Sequence, residues 1–344
     1  MNVAMTFPVK LKDPSLLTGR AYIGGRWRDG DGGATFPVVN PSTLKPIQEL
    51  ADCSVAMTTE AIDAAYDAQK KWAKMLASER CALVEKLHDL MVANADDLAA
   101  ILTAEQGKPV TEAKGEILYG ASFLKWFAEE GKRIYGDTIP AAAPGKRIVV
   151  LKQPVGVVAS ITPWNFPNAM ITRKIGPALA SGCTVVARPA KQTPLSCTAI
   201  AVLAERAGFP AGVFNVITSS SASPIGKELC TNPKVRKLTF TGSTEVGRIL
   251  MEQCAGDIKK LSLELGGNAP FIVFDDADLD AAVEGAMGSK FRNAGQTCIC
   301  ANRIYVQKGV YDKFAEKLAM KVHDLKVGDG FAEGVAVGPM IDAA

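Results

Sequence analysis

Apolar positions recur at helical spacing through the first third of the chain, after an irregular start. Residues 1–57 mix brief apolar runs with turn residues and predict edge structure with short strands. Three helices are predicted next: one capped by Thr58 and Thr59, a second near Leu83–Met91 and a third from about Thr111 to Ile134. Their apolar stripes include Ile62, Ala65, Tyr66, Trp72, Leu87, Leu90, Ile117, Phe123, Leu124 and Phe127. Such stripes are typical of core contacts.

The pattern changes after Gly136. The stretch DTIPAAAPGKRIVVLKQPVG places turn residues around Pro144 and Gly145 between two strand-like arms, which predicts a hairpin outside the helical layers. From Val155 onward, short apolar strands such as VGVVASI, CTVVAR, FNVIT and KLTFTG alternate with helical runs. This alternation predicts an α/β fold with a parallel sheet covered by helices on both faces, where ligands bind beyond the carboxyl ends of the strands. A dinucleotide suits such a crevice, although the sequence contains no GxGxxG.

Length and composition fit a soluble globular protein with room for two domains. The 344 residues are 48% hydrophobic and 22% charged, with 39 Lys and Arg against 36 Asp and Glu. This near balance gives no electrostatic reason to expect a nucleic acid or membrane partner. The first residues lack a signal-peptide core, and no apolar run approaches the roughly 20 residues that span a bilayer. We therefore expect a cytoplasmic protein whose eight cysteines are reduced thiols.

The best candidate nucleophile is Cys298, in FRNAGQTCICANR. It follows the helix-like run Leu279–Lys290 and precedes the strand-like run Arg303–Gln307, a junction where a thiol can be exposed and activated. The alternative is a buried packing cysteine. The only two histidines, His88 and His323, lie in amphipathic helical patterns, which disfavours a Cys-His protease.

Two other side chains can complete a site around this thiol. Glu264 ends an alternating apolar run and precedes Gly266 and Gly267, which let a ligand approach closely; it is a candidate base, with a solvated strand end as the alternative. Asn165, in TPWNFPNAM, lies between a strand and a helix. Its amide can donate to an oxyanion, or it can be ordinary turn chemistry.

Four of these motifs in this order, TPWNFP, FTGSTEVG, LELGGNAP and FRNAGQTC, resemble the aldehyde dehydrogenase superfamily from about Tyr22 to the last residue. AEQGKP, FAEEGKRIYGDTIP and DDADLDAAVEGA are similar to its NADP-dependent succinate-semialdehyde dehydrogenase branch, which acts in 4-aminobutyrate degradation. The resemblance implies a dinucleotide-binding domain at 1–136 and 156–264, an oligomerisation hairpin at 137–155 and the first part of an α/β catalytic domain at 265–344. It also implies that Cys298, Glu264 and Asn165 are catalytic, with no metal, and that the full-length form is a homo-oligomer.

The resemblance further implies a cofactor site. Thr241, Gly242 and Ser243 form a strand-to-helix turn that can hold a pyrophosphate, or Ser243 simply caps the next helix. Arg188 stands where the family usually has a ribose-binding Lys, and Lys191 stands where NAD-preferring members often carry Glu. Two cations favour NADP, with NAD possible, unless Lys191 merely points into water. The remaining predicted contacts are Thr162, Pro163, Trp164, Gly226 and Leu265. The stretch Ser219–Ser223 replaces the family's usual glycine and is expected to crowd the pyrophosphate.

Arg173 and Arg292 match the positions that bind the substrate carboxylate in the resembled branch, because a guanidinium holds a carboxylate in bidentate fashion. Each is otherwise a solvated arginine. A short ω-oxo acid, succinate semialdehyde first, is the predicted substrate. The predicted reaction has Cys298 add to the aldehyde, hydride leave for the nicotinamide and Glu264 activate the water that hydrolyses the thioester.

Three alternatives remain. The resembled proteins continue well over a hundred residues beyond VGPMIDAA, so this form is either active or a silent dinucleotide-binding or assembly fragment. Within the enzymes, a broader-specificity aldehyde dehydrogenase and a CoA-acylating one are open, and Glu264 speaks against the latter.

Cys300 is a possible redox switch with Cys298 or a packing cysteine. In a fully extended segment the Cα atoms of the two cysteines would lie about 6.5 to 7 Å apart, at the edge of disulfide range.

Overall fold

The computed structural model describes residues 7–343. The strands are β1 (Ala21–Ile23), β2 (Arg26–Arg28), β3 (Thr35–Asn40), β4 (Lys45–Ala51), β5 (Asp137–Ile139), β6 (Ile148–Val150), β7 (Val157–Ile161), β8 (Thr184–Arg188), β9 (Phe214–Val216), β10 (Val235–Thr241), β11 (Lys260–Glu264), β12 (Ala269–Val273) and β13 (Ala301–Val306). The helices are α1 (Val55–Trp72), α2 (Ala77–Ala93), α3 (Ala95–Gln106), α4 (Val110–Glu130), α5 (Pro167–Ala180), α6 (Leu195–Ala207), α7 (Ala222–Thr231), α8 (Thr244–Cys254), α9 (Leu279–Lys290) and α10 (Tyr311–His323).

The main sheet has the strand order β11-β10-β7-β8-β9-β1-β2, and β7 to β11 run parallel. Alternate residues of its strands enter two separate cores, because successive side chains point to opposite faces. Val158 and Val185 pack with residues of α2 to α6, whereas Val157 and Val186 pack with residues of α1, α7 and α8. The predicted parallel sheet with helices on both faces is therefore confirmed.

The strand order reverses between β7 and β10. From β7 the chain adds β8 and β9 on one side, and then returns to place β10 and β11 on the other. In open α/β sheets, ligands bind outside the carboxyl ends of the strands at such a reversal. We call the carboxyl ends of β7 to β11 and the loops that follow them the carboxyl edge.

The N-terminal strands extend the sheet beyond β9. Strand β1 pairs antiparallel with β9 through Tyr22 and Val216, and β2 pairs antiparallel with β1. The N–H of Gly24 donates to Oδ1 of Asn215 at 2.8 Å, which joins segments 191 residues apart. Of the predicted short N-terminal strands, β1 and β2 are thus part of the central sheet, whereas β3 and β4 pair antiparallel with each other in a separate sheet.

Four helices, rather than the predicted three, occupy residues 55–130. Helix α3 was missed because Asn94 both ends α2 and begins α3, so a single residue separates them. The cap of α1 is Ser54, whose hydroxyl accepts from Met57 N–H, rather than Thr58 or Thr59. Helix α4 ends at Glu130 and continues only as a short 3₁₀ turn, so its predicted end at Ile134 is wrong.

The predicted hairpin forms from β5 and β6, an antiparallel pair that lies outside the cores with Val149 64% and Leu151 75% exposed. Further along, β12 and β13 pair in parallel and pack with α9 and α10 around Val273, Val283, Ala286 and Phe314. Around this small core Ile272, Tyr305 and Met320 are more than half exposed. None of the helices within residues 7–343 has the length and apolar character of a membrane span.

Candidate active site

Cys298 lies on the loop between α9 and β13. A 3₁₀ turn at Arg292–Gly295 begins this loop, and its residues Asn293 and Ala294 have φ of 53° and 56°, a left-handed conformation that is strained for Ala. The thiol is partly exposed. The backbone N–H of Cys298 donates to none of the described residues, so the loop presents both a thiol and a free donor.

Asn165 is bonded directly to this loop. It lies between β7 and α5, at the carboxyl edge, and its Nδ2 donates to the carbonyl oxygen of Gln296 at 2.9 Å. In return, Nδ2 of Asn293 donates to the carbonyl oxygen of Asn165 at 2.8 Å. An amide nitrogen carries two hydrogens, so one remains for an oxyanion beside Cys298.

Glu264 is the last residue of β11 and so lies at the carboxyl edge. A methyl group placed on Gly267 would lie 2.9 Å from the carbonyl oxygen of Cys298, so the two loops touch three residues after Glu264. The Glu264 side chain is exposed. The structure thus brings a thiol, an amide and a carboxylate to one edge of the sheet, while their roles stay predictions.

Lys174 is a candidate functional residue that the sequence analysis missed. It shares a cleft of about 740 Å³ with Glu264 and Arg173, and its Nζ donates to the hydroxyl of Thr239 at 3.1 Å. Burial lowers the pKa of Lys174 to about 8, although the charge of Glu264 works to raise it. The available sequence signal was a single lysine beside Arg173 in the mainly apolar run Pro167–Ala180. A lysine with such a pKa can exchange protons near neutral pH.

The two predicted substrate arginines contact different aromatic rings. The guanidinium of Arg173 lies 4.8 Å from the centre of the Phe123 ring, and its Nη2 donates to the Tyr119 hydroxyl at 3.1 Å. The guanidinium of Arg292 lies 4.8 Å from the centre of the Phe166 ring. Nε of Arg173 is buried without a partner among the described residues, so it can still bind a ligand. Their convergence on one carboxylate stays a prediction.

Predicted cofactor residues also lie along the carboxyl edge. The N–H of Thr162 donates to the carbonyl of Arg188 at 3.2 Å, which joins the ends of β7 and β8. The Thr162 and Thr241 hydroxyls and Nε of Arg188 are buried without a partner among the described residues. Burial also lowers the pKa of Arg188, whose Nη2 donates to the Ser219 carbonyl at 3.3 Å. Buried polar atoms are normally bonded, so these fit the polar groups of a dinucleotide.

The turn after β10 combines capping with close approach. The Ser243 hydroxyl accepts from Val246 N–H at 3.3 Å and caps α8, so the capping alternative is realised. The N–H of Gly242 donates to the Glu264 carbonyl at 3.1 Å, and a side chain there would strike the Phe240 ring. This ties the predicted pyrophosphate turn to the strand that carries Glu264.

The remaining cofactor candidates have separate surroundings. The Trp164 carbonyl accepts from the Thr193 hydroxyl at 3.5 Å, Leu265 lies beside Gly247 of α8, and Pro163 is half-buried. Lys191 is exposed. Gly226 is not at the entry of its helix, because α7 already begins at Ala222.

The start of the serine-rich stretch is hydrogen-bonded to Asp52. The hydroxyls of Ser219 and Ser220 both donate to this carboxylate, as does the N–H of Ser220. Burial works to raise the pKa of Asp52, but the Ser220 and Ser219 hydrogen bonds outweigh it and the pKa lies below its usual range. These two hydroxyls are therefore committed to Asp52, and crowding of the pyrophosphate by the stretch stays a prediction.

Cys300 is buried behind Cys298. Its thiol contacts the carbonyl oxygens of Gly295 at 3.3 Å and Lys290 at 3.6 Å. The Cys300 N–H donates to the Thr297 carbonyl at 3.1 Å, which closes a turn around Cys298. Because the segment is bent, the two cysteines are not fully extended, and the redox switch stays a prediction.

Comparison with known proteins places this geometry. The family model described as "Aldehyde dehydrogenase family" matches residues 27–344. The chain is 61% identical over 335 residues to a glutarate-semialdehyde dehydrogenase of Pseudomonas aeruginosa, covering 97% of this chain and 69% of the relative. It is 61% identical over 334 residues to a succinate-semialdehyde dehydrogenase [NADP(+)] of Escherichia coli K12, with the same coverage.

Solved structures agree. An aldehyde dehydrogenase from Brucella melitensis biovar abortus 2308 superimposes with a TM-score of 0.96 at 62% identity, over 97% of this chain and 69% of that one. The crystal structure of an NADP-dependent enzyme of Escherichia coli gives a TM-score of 0.96 at 61% identity, with the same coverage. In sequence and in fold, the chain belongs to the aldehyde dehydrogenase family.

Proposed function

We propose that the chain oxidises a short ω-oxo acid, succinate semialdehyde or a close homologue, to the carboxylic acid with NADP as hydride acceptor. The observation that carries this proposal is the meeting of Asn165 and Glu264 with the Cys298 loop. Asn165 donates to Gln296 at 2.9 Å, and Gly267, three residues after Glu264, touches the Cys298 carbonyl. A nucleophile, an oxyanion donor and a base are what acyl chemistry at an aldehyde requires.

The substrate class is supported by two kinds of observation. The similar proteins named above act on succinate and glutarate semialdehydes, which carry a carboxylate at the far end from the aldehyde. Here Arg173 and Arg292 supply cations next to the catalytic elements, on α5 and at the start of the Cys298 loop. A guanidinium fork binds a carboxylate in two parallel hydrogen bonds.

In the proposed reaction the Cys298 thiolate adds to the aldehyde carbon. The oxyanion accepts from the free Nδ2 hydrogen of Asn165 and from the Cys298 N–H. When bound, NADP accepts the hydride. Glu264 then takes a proton from water, which attacks the thioester at Cys298 and restores the thiol as the acid departs. Lys174, which lines the same cleft, can hold or relay that proton because of its lowered pKa.

The chain's own residues suit this cofactor. Arg188 is a buried cation that no described carboxylate neutralises, and Nε has no partner among the described residues. Arg188 and Lys191 would face the ribose phosphate, while Thr241, Gly242 and Ser243 would hold the pyrophosphate at the N-terminus of α8. Thr162, Pro163, Trp164, Gly226 and Leu265 would complete the site. NAD would bind more weakly, because it lacks the phosphate that the two cations attract.

Assembly and location extend the proposal. The exposed hairpin of β5 and β6, whose outer residues include Val149 and Leu151, would pair subunits into a homo-oligomer. The absence of a membrane-spanning helix within residues 7–343 agrees with a cytoplasmic enzyme. Size-exclusion chromatography with light scattering measures the first point directly: a folded chain that stays monomeric at high concentration would contradict it.

The reaction is tested by following NADP reduction at 340 nm with succinate semialdehyde. We expect turnover by this 344-residue chain and none by Cys298→Ala. The substrate assignment is tested in the same assay with butanal, which has the chain length but no carboxylate. Arg173→Leu and Arg292→Leu should each raise KM for succinate semialdehyde while changing butanal oxidation little. A folded chain that binds NADP but oxidises neither aldehyde would refute the proposed function.

A further inference from the structure

The sequence AEQGKP carries a buried lysine that the proposed reaction does not use. Lys108 lies between α3 and α4, its side chain fully buried. Its Nζ donates to Glu116 at 2.7 Å and to the main-chain carbonyl of Asn165 at 2.9 Å, and it lies 3.9 Å from the centre of the Phe166 ring. A fully buried charge is costly unless it is paired and hydrogen-bonded. The charge of Lys108 is bonded to Asn165, the residue that offers the oxyanion donor.

Glu116 fixes the other side of the same segment. Its second oxygen accepts from the N–H groups of Asn168 and Ala169, at 3.0 and 3.1 Å, in the first turn of α5. The ion pair therefore holds the chain at Asn165 and just after it. The Asn165 side chain is oriented in turn, because its Oδ1 accepts from Phe166 N–H at 3.1 Å and its Nδ2 donates to Gln296.

The connection between α3 and α4, which carries Lys108, also fixes the loop of Cys298. Nε2 of Gln106 donates to Oδ1 of Asn293 at 2.9 Å, in a fully buried contact. The Oε1 of Gln106 accepts from the N–H of Lys108. The hydrogen bonds to Asn293 and to Asn165 therefore both come from the short segment 106–108. Asn293 then bonds the Asn165 carbonyl through Nδ2. The carbonyl oxygen of Asn165 thus accepts hydrogen bonds from both Lys108 and Asn293.

We infer that the buried Lys108–Glu116 pair is a positioning element for the oxyanion donor: it sets where the free amide hydrogen of Asn165 lies relative to the Cys298 thiol. Neither side chain touches the substrate. Loss of the pair should misplace the donor while leaving the thiol itself reactive. This inference rests on the proposed thiolate chemistry of Cys298, but its test needs neither an aldehyde nor NADP.

The test compares two reactions of the same thiol. Attack on p-nitrophenyl acetate passes through a tetrahedral oxyanion, whereas alkylation by iodoacetamide is a displacement that develops none. The ratio of the two rates isolates the oxyanion contribution. Asn165→Ala, which removes the donor itself, calibrates the fall in that ratio. Thermal melts and circular dichroism establish that each variant is folded.

The variants are Lys108→Met, which keeps an unbranched chain against Phe166, and the double variant Lys108→Met with Glu116→Gln, which leaves no uncompensated charge. We expect each to lower the ester-to-alkylation ratio by about 10- to 100-fold, since small displacements of a catalytic group have costs of this order. Alkylation alone should change by no more than about twofold, because it needs no oxyanion donor.

Glu105 supplies a matched control. It is also a fully buried glutamate that accepts two N–H groups at a helix N-terminus, from Leu195 and Ser196 of α6, at 2.6 and 2.8 Å. Glu105→Gln repeats the Glu116→Gln change of the double variant at another buried helix N-terminus, and it does not touch Asn165. Burial raises the pKa of Glu105 to about 8, so this control removes a buried carboxyl without breaking an ion pair. We expect it to lower the melting temperature and leave the ratio unchanged.

Several outcomes would overturn the inference. They are an unchanged ratio in folded Lys108→Met, an equal loss in both reactions, or an equal effect from Glu105→Gln. If Lys108→Met alone fails to fold, the double variant decides; its failure to fold would make the pair a stability element and count against positioning. If the wild-type chain oxidises no aldehyde but the ratio falls as expected, the proposed function fails and the positioning role stands.

Discussion

Adding a single methyl group at Gly267 should move the nucleophile's loop. The added carbon would lie 2.9 Å from the carbonyl oxygen of Cys298. Carbon and oxygen in close contact normally stay about 3.3 to 3.6 Å apart, so the loop must retreat by about 0.5 Å. Because a 1 Å misplacement at an active site can cost about 10²-fold in rate, we expect Gly267→Ala to lower kcat about tenfold.

The neighbouring glycine provides the control. A methyl group on Gly266 meets none of the described residues within 4 Å, and neither glycine has a positive φ. Gly266→Ala should therefore keep its activity, and both variants should melt within a few degrees of the wild type. The assay is NADP reduction with succinate semialdehyde, together with alkylation of Cys298. If Gly267→Ala were as active as Gly266→Ala, the contact would not constrain the thiol and the reasoning would be wrong.

Two further substitutions test the electrostatics. Lys174 is 6% exposed, and burial lowers its pKa from the usual 10.5 to about 8; at about 1.4 kcal/mol per pKa unit, the protonated lysine costs the fold about 3 kcal/mol below pH 8. The unfolded chain holds the extra proton between pH 8 and 10.5, so wild-type stability rises with pH there. Lys174→Met should remove that rise and lower kcat. Allowing for loss of the hydrogen bond to Thr239, it should stabilise the fold at pH 7 by about 2 kcal/mol, as measured by urea titration. A variant whose stability still rose with pH in the same way would refute the lowered pKa of Lys174. Lys191→Glu should weaken NADP binding by about tenfold or more through repulsion of the 2′-phosphate and spare NAD, with Lys191→Gln as the milder control, measured by fluorescence titration. Unchanged affinity for NADP in both variants would mean that Lys191 points into water.

The sequence predicted the sheet and the edge that carries the site because both depend on local signals. Apolar runs of strand length alternate with helical runs; Asn165 lies between one such strand and the next helix, and Glu264 ends another strand, so their placement at the carboxyl edge comes from topology alone. The position of Cys298 beside them was expected only from the order of motifs. It depends on long-range bonds such as that from Asn165 to Gln296, 131 residues away.

What the sequence did not reveal lies where local signals are weak or misleading. Helix α3 was lost because only Asn94 separates it from α2, with neither Gly nor Pro between them. Lys108 and Glu116 resemble the exposed charges of a helix surface, and only the fold shows that they are buried against each other. Ser219 and Ser220 were placed near a ligand, whereas Asp52, far away in the chain, engages both hydroxyls.

The antiparallel pairing of β1 with β9 also determines how the protein must be made. Gly24 bonds Asn215, which leaves the ribosome 191 residues later, or roughly 10 to 40 s at about 5 to 20 residues per second. During that interval β1 can pair with β2, but the edge of β1 that joins β9 in the finished sheet stays unpaired, and its N–H and C=O groups form an open template for other chains. Closure of this edge therefore waits until residue 216 has been made, and chains shorter than this are the species that most need a chaperone.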